Sequence, residues 1–228
     1  MNIINTGAAL ALTTTLASAG GFTMYDDHAV FSMNTGALSI ENFESEQLGD
    51  LALPTGFDSG LGLSMGSGAV SSYIGAGDPD NFGFENTTAM GRNYLAFGRN
   101  VMVPGAPDMP QTGSYTAVFS LGESVNAFGF NLSGAEFAFA AMGLNVTTFS
   151  NGQIRDDFFF ASDQFFGVDF YGMITDDSFD TISINIPVLT GGTADYVAFD
   201  DVTWGAVPAP STPALLALGG LGATRRRR

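Results

Sequence analysis

The sequence contains no cysteine, no lysine and a single histidine among its 228 residues. The absence of cysteine excludes disulfide bonds, zinc sites built on thiolates, and a lipid anchor attached through a cysteine side chain. The single histidine, His28, has no second histidine and no cysteine with which to share a metal ion or a catalytic triad. The sequence therefore shows none of the residue combinations on which zinc hydrolases and histidine-activated nucleophiles depend.

Positive charge is scarce and is concentrated at one end of the chain. Four of the 7 basic residues are the terminal arginines 225–228, whereas all 23 acidic residues lie between residues 20 and 207. The chain between those limits has three arginines and a formal charge of 3 − 23 = −20. Such a surface repels phosphate groups and attracts divalent cations, so we do not expect nucleic acid among the partners.

Long amphipathic helices are also missing from the sequence pattern. No window of adequate length repeats apolar residues at helical spacing, whereas phenylalanine (21) and glycine (30) are abundant. Many short strands separated by turn signals indicate an all-β fold, an antiparallel β-sandwich of jelly-roll type. The strands predicted from alternation and turn signals are 38–43, 61–65, 69–74, 94–97, 115–120, 125–131, 136–141, 144–149, 158–161, 165–171, 181–186 and 196–204.

The segment 181–186 gives the clearest strand pattern. Its isoleucines alternate with polar residues and would therefore share one face of a sheet. Pro187 ends the strand, because proline has no N–H to donate to a ladder. Asn151-Gly152 is a strong signal for a tight hairpin turn.

The phenylalanines at 158–160, together with Phe165 and Phe166, allow two interpretations. Exposed rings would form a platform on which sugars stack, whereas buried rings would belong to the core of the sandwich. The core interpretation is favoured, because a sandwich needs large apolar side chains on its inner faces.

Residues 207–228 differ in composition from the rest of the chain. Val207-Pro208-Ala209-Pro210 is followed by an apolar segment at 213–224 and by four arginines. The apolar segment is shorter than the roughly 20 residues that a membrane-spanning helix needs, and its three glycines weaken it as a helix. The arginines favour a cytoplasmic position for the extreme end. This pattern is typical of a signal segment rather than of a permanent anchor.

The order of motif, short apolar segment and arginine tail resembles the PEP-CTERM sorting signal of bacterial surface proteins, in a variant with Ala209 where the commoner motif has Glu. The resemblance implies an exosortase-type membrane peptidase as a partner, which would cut near Val207 to Pro210. It also implies a location at the cell surface or in the extracellular matrix of a bacterium with an outer membrane. The C-terminal segment would then be a sorting helix held transiently in the inner membrane. An unprocessed tail on a cytosolic protein is the alternative.

The first nineteen residues match an N-terminal export signal. An apolar and hydroxylated segment at 3–16 precedes Ala17-Ser18-Ala19, which fits a small-residue cleavage site. The leading MNIIN has no basic residue, so either the α-amino group supplies the positive charge or the true start lies upstream. We therefore predict a signal peptide at 1–19, a β-sandwich domain at 20–206 and the sorting signal at 207–228.

Alternation slips inside the last predicted strand, 196–204. The apolar residues on the two sides of Asp200-Asp201 have opposite parity, as Phe199 and Val202 show. A β-bulge or a strand break at the two aspartates would restore a buried face on both sides. A bulge would also turn one of the two carboxylates out of register.

This region resembles the jelly-roll domains of carbohydrate-binding modules and of many PEP-CTERM proteins, whose last strand has an Asp-Asp-Val-like motif and whose first has a Phe-Glu motif. Asp200-Asp201-Val202 and Phe43-Glu44 match these motifs. A calcium ion joins first and last strands in that family. The resemblance thus implies structural Ca²⁺ at Glu44 and at Asp200 or Asp201, with Glu41 as a helper. Carboxylate and carbonyl oxygens are the ligands that calcium prefers. The alternative is a solvated acidic pair at the rim of the sandwich.

Three classes of function stay open. A non-catalytic, structural or adhesive surface protein is favoured over a calcium-stabilised carbohydrate-binding module that binds exopolysaccharide, and both over a glycoside-active enzyme. Acidic pairs occur at Asp156-Asp157, Asp176-Asp177 and Asp200-Asp201. Neighbours on a strand point to opposite faces, so only residues brought together by folding could form the pair of carboxylates that a glycosidase needs.

Overall fold

The computed structural model of the protein describes residues 21–66, 71–76, 91–98, 115–133, 143–160, 168–186 and 197–207. Within these ranges the chain forms twelve strands and one helix, α1 His28–Thr35. The strands are β1 Phe22–Tyr25, β2 Ser39–Glu41, β3 Gly49–Asp50, β4 Thr55–Gly56, β5 Gly62–Met65, β6 Ser71–Ala76, β7 Asn93–Gly98, β8 Tyr115–Ser133, β9 Leu144–Ser150, β10 Gln153–Phe160, β11 Val168–Ile186 and β12 Val197–Gly205. Every pairing between them is antiparallel, so the predicted all-β antiparallel architecture is confirmed.

The two longest strands, β8 and β11, pair with each other and organise the sheet. Their register shifts between residues 174 and 181 of β11, which divides each strand into two parts. The part of β11 before the shift and the part of β8 after residue 125 form one layer with β1, β12, β2, β7, β6 and β3. The other parts form a second layer with β10, β9, β5 and β4.

Aromatic side chains from the two layers meet in one core. Phe119 of the second layer lies 5.7 Å from Phe199 of the first, measured between ring centroids, and Phe160 lies 5.2 Å from Tyr171. The single tryptophan, Trp204, is also fully buried in this cluster. Two layers that share one aromatic core are consistent with an all-β sandwich.

Most of the predicted strands are confirmed, with changed bounds. The segments 115–120 and 125–131 belong to one strand, β8, in which Gly122 between them has a φ of 71°. In the same way β11 contains most of 165–171 together with 181–186 and ends directly before Pro187. The predicted strand 136–141 lies outside the described residues. Sequence patterns missed four elements: α1, β1, β3 and β4.

The predicted hairpin turn between β9 and β10 is confirmed. Asn151 and Gly152 both have positive φ, at 51° and 73°. Ser150 and Gln153 pair across the turn. Two consecutive residues with positive φ match the twist of the flanking strands, which explains why Asn-Gly is found here.

The helix α1 begins and ends at residues that cap it. Asp27 accepts a hydrogen bond from the Val30 N–H at 2.9 Å through Oδ1, and Gly36 ends the helix with a φ of 76°. Its buried aromatic residue, Phe31, packs where the sheet has glycines. A Cβ atom added at Gly172 would lie 2.8 Å from the Phe31 ring, so a larger residue there would push the helix away.

The start of β1 and the end of β12 lie at the same end of the first layer. Thr23 of β1 pairs with Ile174 of β11, and Ile174 pairs with Ala127 of β8. Ala127 in turn pairs with Gly205, the last residue of β12. Three strand spacings of about 4.8 Å therefore separate the two ends of the described fold, a distance of about 14 Å across the sheet. We call the fold between these two ends the body.

The predicted signals fall largely outside the described residues. This applies to the signal peptide 1–19 with its cleavage residues Ala17 and Ala19, and to Pro208, Ala209, Pro210 and the sorting helix. Val207 is the one residue of the sorting motif that the structure describes. Within the described ranges, no helix is long and apolar enough to cross a membrane.

Candidate functional site

The predicted bulge at Asp200-Asp201 is confirmed. β12 is in register with β8 up to the pair Asp200 and Asn131, and the register is shifted when it resumes at Thr203. Asp201 takes up the shift with a φ of 48°, which a residue other than glycine rarely adopts. On its other side β12 pairs with β7 before the bulge and with β2 after it. The bulge therefore marks the point where β12 changes partners.

The two aspartates of the bulge are buried, so the interpretation of a solvated acidic rim is wrong. Asp200 is 2% exposed and Asp201 is 8% exposed. Asp200 Oδ1 accepts a hydrogen bond from the Asp201 N–H at 2.8 Å, and Asn131 Nδ2 donates to Asp201 Oδ2 at 3.2 Å. Buried carboxylates are stable only where such donors replace water, and here the donors come from the bulge itself and from β8.

Glu41, the predicted calcium helper, shapes the turn that follows β2. Its side chain is buried, and Oε1 accepts a hydrogen bond from the Phe43 N–H at 2.6 Å. Phe43 has a φ of 58° and a fully buried ring. Glu41 also pairs across the strands with Val202, the residue after the bulge. The carboxylate thus holds an unusual backbone conformation that carries the Phe43 ring into the core.

Glu44, the main predicted calcium ligand, joins this turn to the start of β7. Its Oε1 atom accepts hydrogen bonds from the backbone N–H groups of Arg92 and Asn93, at 2.6 and 2.7 Å. Asn93 returns the contact, because its Nδ2 donates to the Phe43 carbonyl oxygen at 3.1 Å. Hydrogen bonds to an ionised carboxylate are stronger than those between neutral groups. Glu44 therefore connects segments nearly fifty residues apart in sequence.

Sequence analysis missed Glu46, a further acid of the same turn. The pKa of Glu46 is raised, mainly by burial and further by the negative charges of Glu41 and Asp58. A hydrogen bond from the Asp58 N–H to Glu46 Oε1, at 3.4 Å, partly offsets this rise. Glu46 therefore also lies within electrostatic reach of Glu41. The sequence signal was the spacing of three glutamates in ENFESE, but the contact with Asp58 depends on the fold.

We call the arrangement of Glu41, Glu44, Asp200 and Asp201 around β2, β7 and β12 the strand junction. Each of these four carboxylates accepts at least one hydrogen bond from an N–H group. Across the residues that the structure describes, no group of three or more His, Cys, Asp or Glu side chains could hold a metal ion. Glu41, Glu44 and Asp200 accept hydrogen bonds from backbone N–H groups, and Asp201 accepts one from the Asn131 side chain. Calcium at the strand junction stays a prediction.

A small open cavity lies at the edge of the first layer, next to β1. Its volume is about 220 Å³, and its lining consists of Met24, Tyr25, Asp26, Phe160 and Tyr171. The Tyr171 hydroxyl donates a hydrogen bond to Asp169 Oδ2 at 3.2 Å. The cavity therefore combines aromatic and thioether surface with hydroxyl and carboxylate groups, and its lining has no basic residue.

The run of phenylalanines at 158–160 is divided between the core and the surface. Phe158 and Phe160 are buried, as the core interpretation predicted, whereas Phe159 is 55% exposed. Phe159 lies over the backbone of Gly143, where an added Cβ would come within 2.5 Å of the ring. Phe165 and Phe166 lie outside the described residues. The described part of the run therefore does not form a continuous aromatic platform.

The fold places members of two acidic pairs, Asp156 and Asp177, within electrostatic reach of each other. Burial raises the pKa of Asp156, the negative charge of Asp177 raises it further, and Arg155 partly offsets both. The neighbours of these two residues are engaged elsewhere: Asp157 Oδ1 accepts a hydrogen bond from the Thr147 hydroxyl at 2.8 Å, and Asp176 Oδ2 accepts one from the Gly21 N–H at 2.8 Å. His28 has a structural contact, with its ring 5.0 Å from that of Phe170.

The fold and these contacts define a chain of the antiparallel β-sandwich class. No protein-family model and no curated protein matches it. Among solved structures it is similar to the enzymatically active domain of tailspike protein 4 of bacteriophage CBA120, with 15% identity and a TM-score of 0.36 over 64% of this chain and 19% of that chain. It is also similar to the Agl-KA catalytic domain, with 12% identity and a TM-score of 0.37 over 78% of this chain and 30% of that chain. The chain thus spans less than a third of the length of either structure, and a likeness this distant carries no argument about function.

Proposed function

We propose that this chain is an exported, non-catalytic protein of the bacterial cell surface or extracellular matrix, with a structural or adhesive role. Its C-terminal sorting signal would be removed by an exosortase-type membrane peptidase. The observation that carries the proposal is the position of Val207: the last hydrogen bonds of the described fold involve the residue that opens the Val-Pro-Ala-Pro motif. The motif therefore begins two residues after the last strand that the structure describes, β12, which agrees with a removable signal.

The body in this proposal is a β-sandwich of jelly-roll type. Support comes from β8 and β11, each of which runs from one layer into the other, as strands do where a sheet is folded over on itself. The pairing of β2 with β12 also agrees with a fold in which an early strand lies beside the last one. Such a domain presents a charged surface, and a structural or adhesive role does not require catalysis.

Deleting residues 213–228 tests the proposal. We expect the deletion to change the final location of the protein while the circular dichroism spectrum and melting temperature of the body stay the same. Mass spectrometry of the material at the cell surface then gives the C-terminus of the unmodified protein. Recovery of the intact arginine tail 225–228 on all of the mature protein would overturn the proposal.

A second candidate function, binding of a neutral glycan, is favoured by the cavity beside β1. Its aromatic and thioether side chains, Met24, Tyr25, Phe160 and Tyr171, offer apolar surface, and Asp26 offers an acceptor for sugar hydroxyls. The volume of about 220 Å³ is below the range of drug-sized pockets, so one sugar ring at the end of a chain is the fitting ligand. Structural calcium would accompany this function if the strand junction binds it.

Polysaccharide pull-down distinguishes the two candidates. A glycan-binding protein shows saturable binding that falls in Tyr25→Ala and does not change in Phe159→Ala, whose ring is exposed elsewhere. A structural protein shows no saturable binding. Hydrolysis of the polysaccharide, lost in Asp156→Asn or Asp177→Asn, would instead establish an enzyme; these two residues are chosen because the charge of Asp177 reaches Asp156.

A further inference from the structure

The described fold ends in two hydrogen bonds between the side chain of Asn126 and the backbone of Val207. The Val207 N–H donates to Asn126 Oδ1 at 2.6 Å, and Asn126 Nδ2 donates to the Val207 carbonyl oxygen at 3.2 Å. The strand β12 ends two residues earlier, at Gly205. We call these two hydrogen bonds the Asn126 clamp. It extends the hydrogen bonding of the last strand by two residues, because a side-chain amide takes the place of a backbone peptide group.

Packing holds Val207 in the same position. Its side chain is half-buried and lies against a small apolar cluster of Phe31, Ala127 and Phe170. Asn126 is itself held within β8, between Val125 and Ala127, which pair with Phe179 and Ile174 of β11. Val207 therefore belongs to the folded body, although it is also the first residue of the sorting motif.

We propose that Asn126 sets the C-terminal limit of the mature protein, so that the sorting peptidase cuts on the C-terminal side of Val207. This inference rests on the proposed function, in which the tail is removed. A peptidase has to draw the chain on both sides of the cut into its active site in an extended form. The clamp and the packing of Val207 prevent this for bonds that precede Val207. Asn126 is thus a positioning residue, which acts on the substrate side of the reaction and not in its chemistry.

Asparagine can be replaced in a way that removes the clamp stepwise. Asn126→Asp keeps an acceptor for the Val207 N–H and loses the donor to its carbonyl oxygen, whereas Asn126→Leu has a similar size and loses both. Asn185→Leu is the matched control, because Asn185 is another half-buried asparagine of the sheet, with a hydrogen bond to Thr116 Oγ1 at 3.3 Å. Each variant is purified as the full chain.

Limited proteolysis under native conditions tests the clamp without the sorting peptidase. The full chain is exposed to an endoprotease of broad specificity, well below the melting temperature of every variant, and the C-terminus of the resistant body is read by mass spectrometry. We expect the unmodified protein and Asn185→Leu to retain Val207. In Asn126→Leu, cleavage of the two bonds between Gly205 and Val207 should be roughly 5- to 150-fold faster, the factor that two ordinary hydrogen bonds provide.

Asn126→Asp should give an intermediate rate, and it carries the test if the leucine variant does not fold. Equal rates for the unmodified protein and the Asn126 variants would overturn the inference, and so would equal acceleration in Asn185→Leu. The C-terminus of the protein exported by its own cells separates the two proposals. A C-terminus at 207–210 supports both, and a C-terminus before Val207 overturns the role of Asn126 alone. An intact tail overturns the proposed processing, while the proteolysis result still stands.

Discussion

At the scale of single residues, Phe199 shows what the aromatic core contributes to stability. Its ring is fully buried and lies 5.1 to 5.7 Å from those of Phe97, Phe119 and Phe130. Phe199→Ala should therefore cost about 3 to 5 kcal/mol of unfolding free energy, because it leaves a cavity between the two layers. The melting temperature would fall by about 6 to 20 °C, at about 2 to 4 °C per kcal/mol.

Phe159→Ala is the control for this substitution, since the same side chain is removed from the surface. We expect it to cost less than about 1 kcal/mol. Thermal melts followed by circular dichroism compare the two variants. Equal losses would mean that the rings of the two layers do not pack as described.

Asp156 should make stability depend on pH in the opposite sense to most carboxylates. Burial, followed by the negative charge of Asp177, raises the pKa of Asp156 in the folded state. The folded protein therefore favours the protonated form. That contribution is fully present below the unfolded pKa and is lost as the pH rises through the folded pKa.

Asp156→Asn should consequently raise the melting temperature at pH 7 by about 1 to 2 °C, a small gain because solvent screens the two carboxylates. The gain should vanish near pH 3, where Asp156 is protonated in the unmodified protein as well. Asp157→Asn removes one negative charge from the next position and controls for the net charge of the body. The same gain in both variants would show that Asp177 is not the specific cause.

At the scale of structural elements, Glu44 fixes the position of the turn after β2 against the start of β7. Glu44→Ala leaves the N–H groups of Arg92 and Asn93 without this acceptor. We expect a loss of about 1.5 to 3 kcal/mol, which is the range for hydrogen bonds to charged groups. Glu44→Gln keeps an acceptor oxygen in the same place and should lose less, as measured by chemical denaturation. Equal losses in the two variants would count against the capping role.

The same variants separate capping from calcium binding at the strand junction. If the four carboxylates act only as acceptors for N–H groups, melting curves in EDTA and in millimolar calcium overlay. A structural calcium ion would instead raise the melting temperature by about 5 to 11 °C, from about 2.7 kcal/mol at a hundredfold excess over Kd. That rise would disappear in Asp201→Asn and Glu44→Gln.

Local sequence patterns predicted the strands whose inner faces alternate and missed the elements that lack such a pattern. β9 and the last part of β11 alternate clearly and were found nearly in full. The helix α1 has only Phe31 and Thr35 buried, so it leaves no apolar stripe at helical spacing. The capping residues Asp27 and Gly36 were the sequence features that could have indicated this helix.

The candidate site was predicted only where its cause is local. The parity change around Asp200-Asp201 lies within one strand and predicted the bulge. The burial of both aspartates and the contacts of Glu44 with Arg92 and Asn93 depend on which strands become neighbours. Local patterns in a single sequence do not show which strands become neighbours.

At the scale of the whole molecule, the ends of the body should be measurably close. Because the chain has no cysteine, spin labels can be attached at introduced cysteines without background. Thr23 and Ala206 are exposed and lie near the two ends. We expect Thr23→Cys with Ala206→Cys to report a shorter distance than Thr23→Cys with Ala76→Cys, since about 14 Å of sheet separates the first pair and about 24 Å the second. The reverse order, measured by electron paramagnetic resonance, would contradict the strand order.

The shared position of the two ends has a consequence for the timing of export. In the proposed pathway, one signal precedes the body and another follows it, and both are in the inner membrane for part of the protein's life. If the two ends of the fold lay on opposite sides, a long flexible linker would be needed for the chain to fold while both signals are still in the membrane. Here the two ends lie side by side, so the strands can pair while both signals are still joined to the chain. In that pathway folding would require neither cut, and the two cuts could occur in either order.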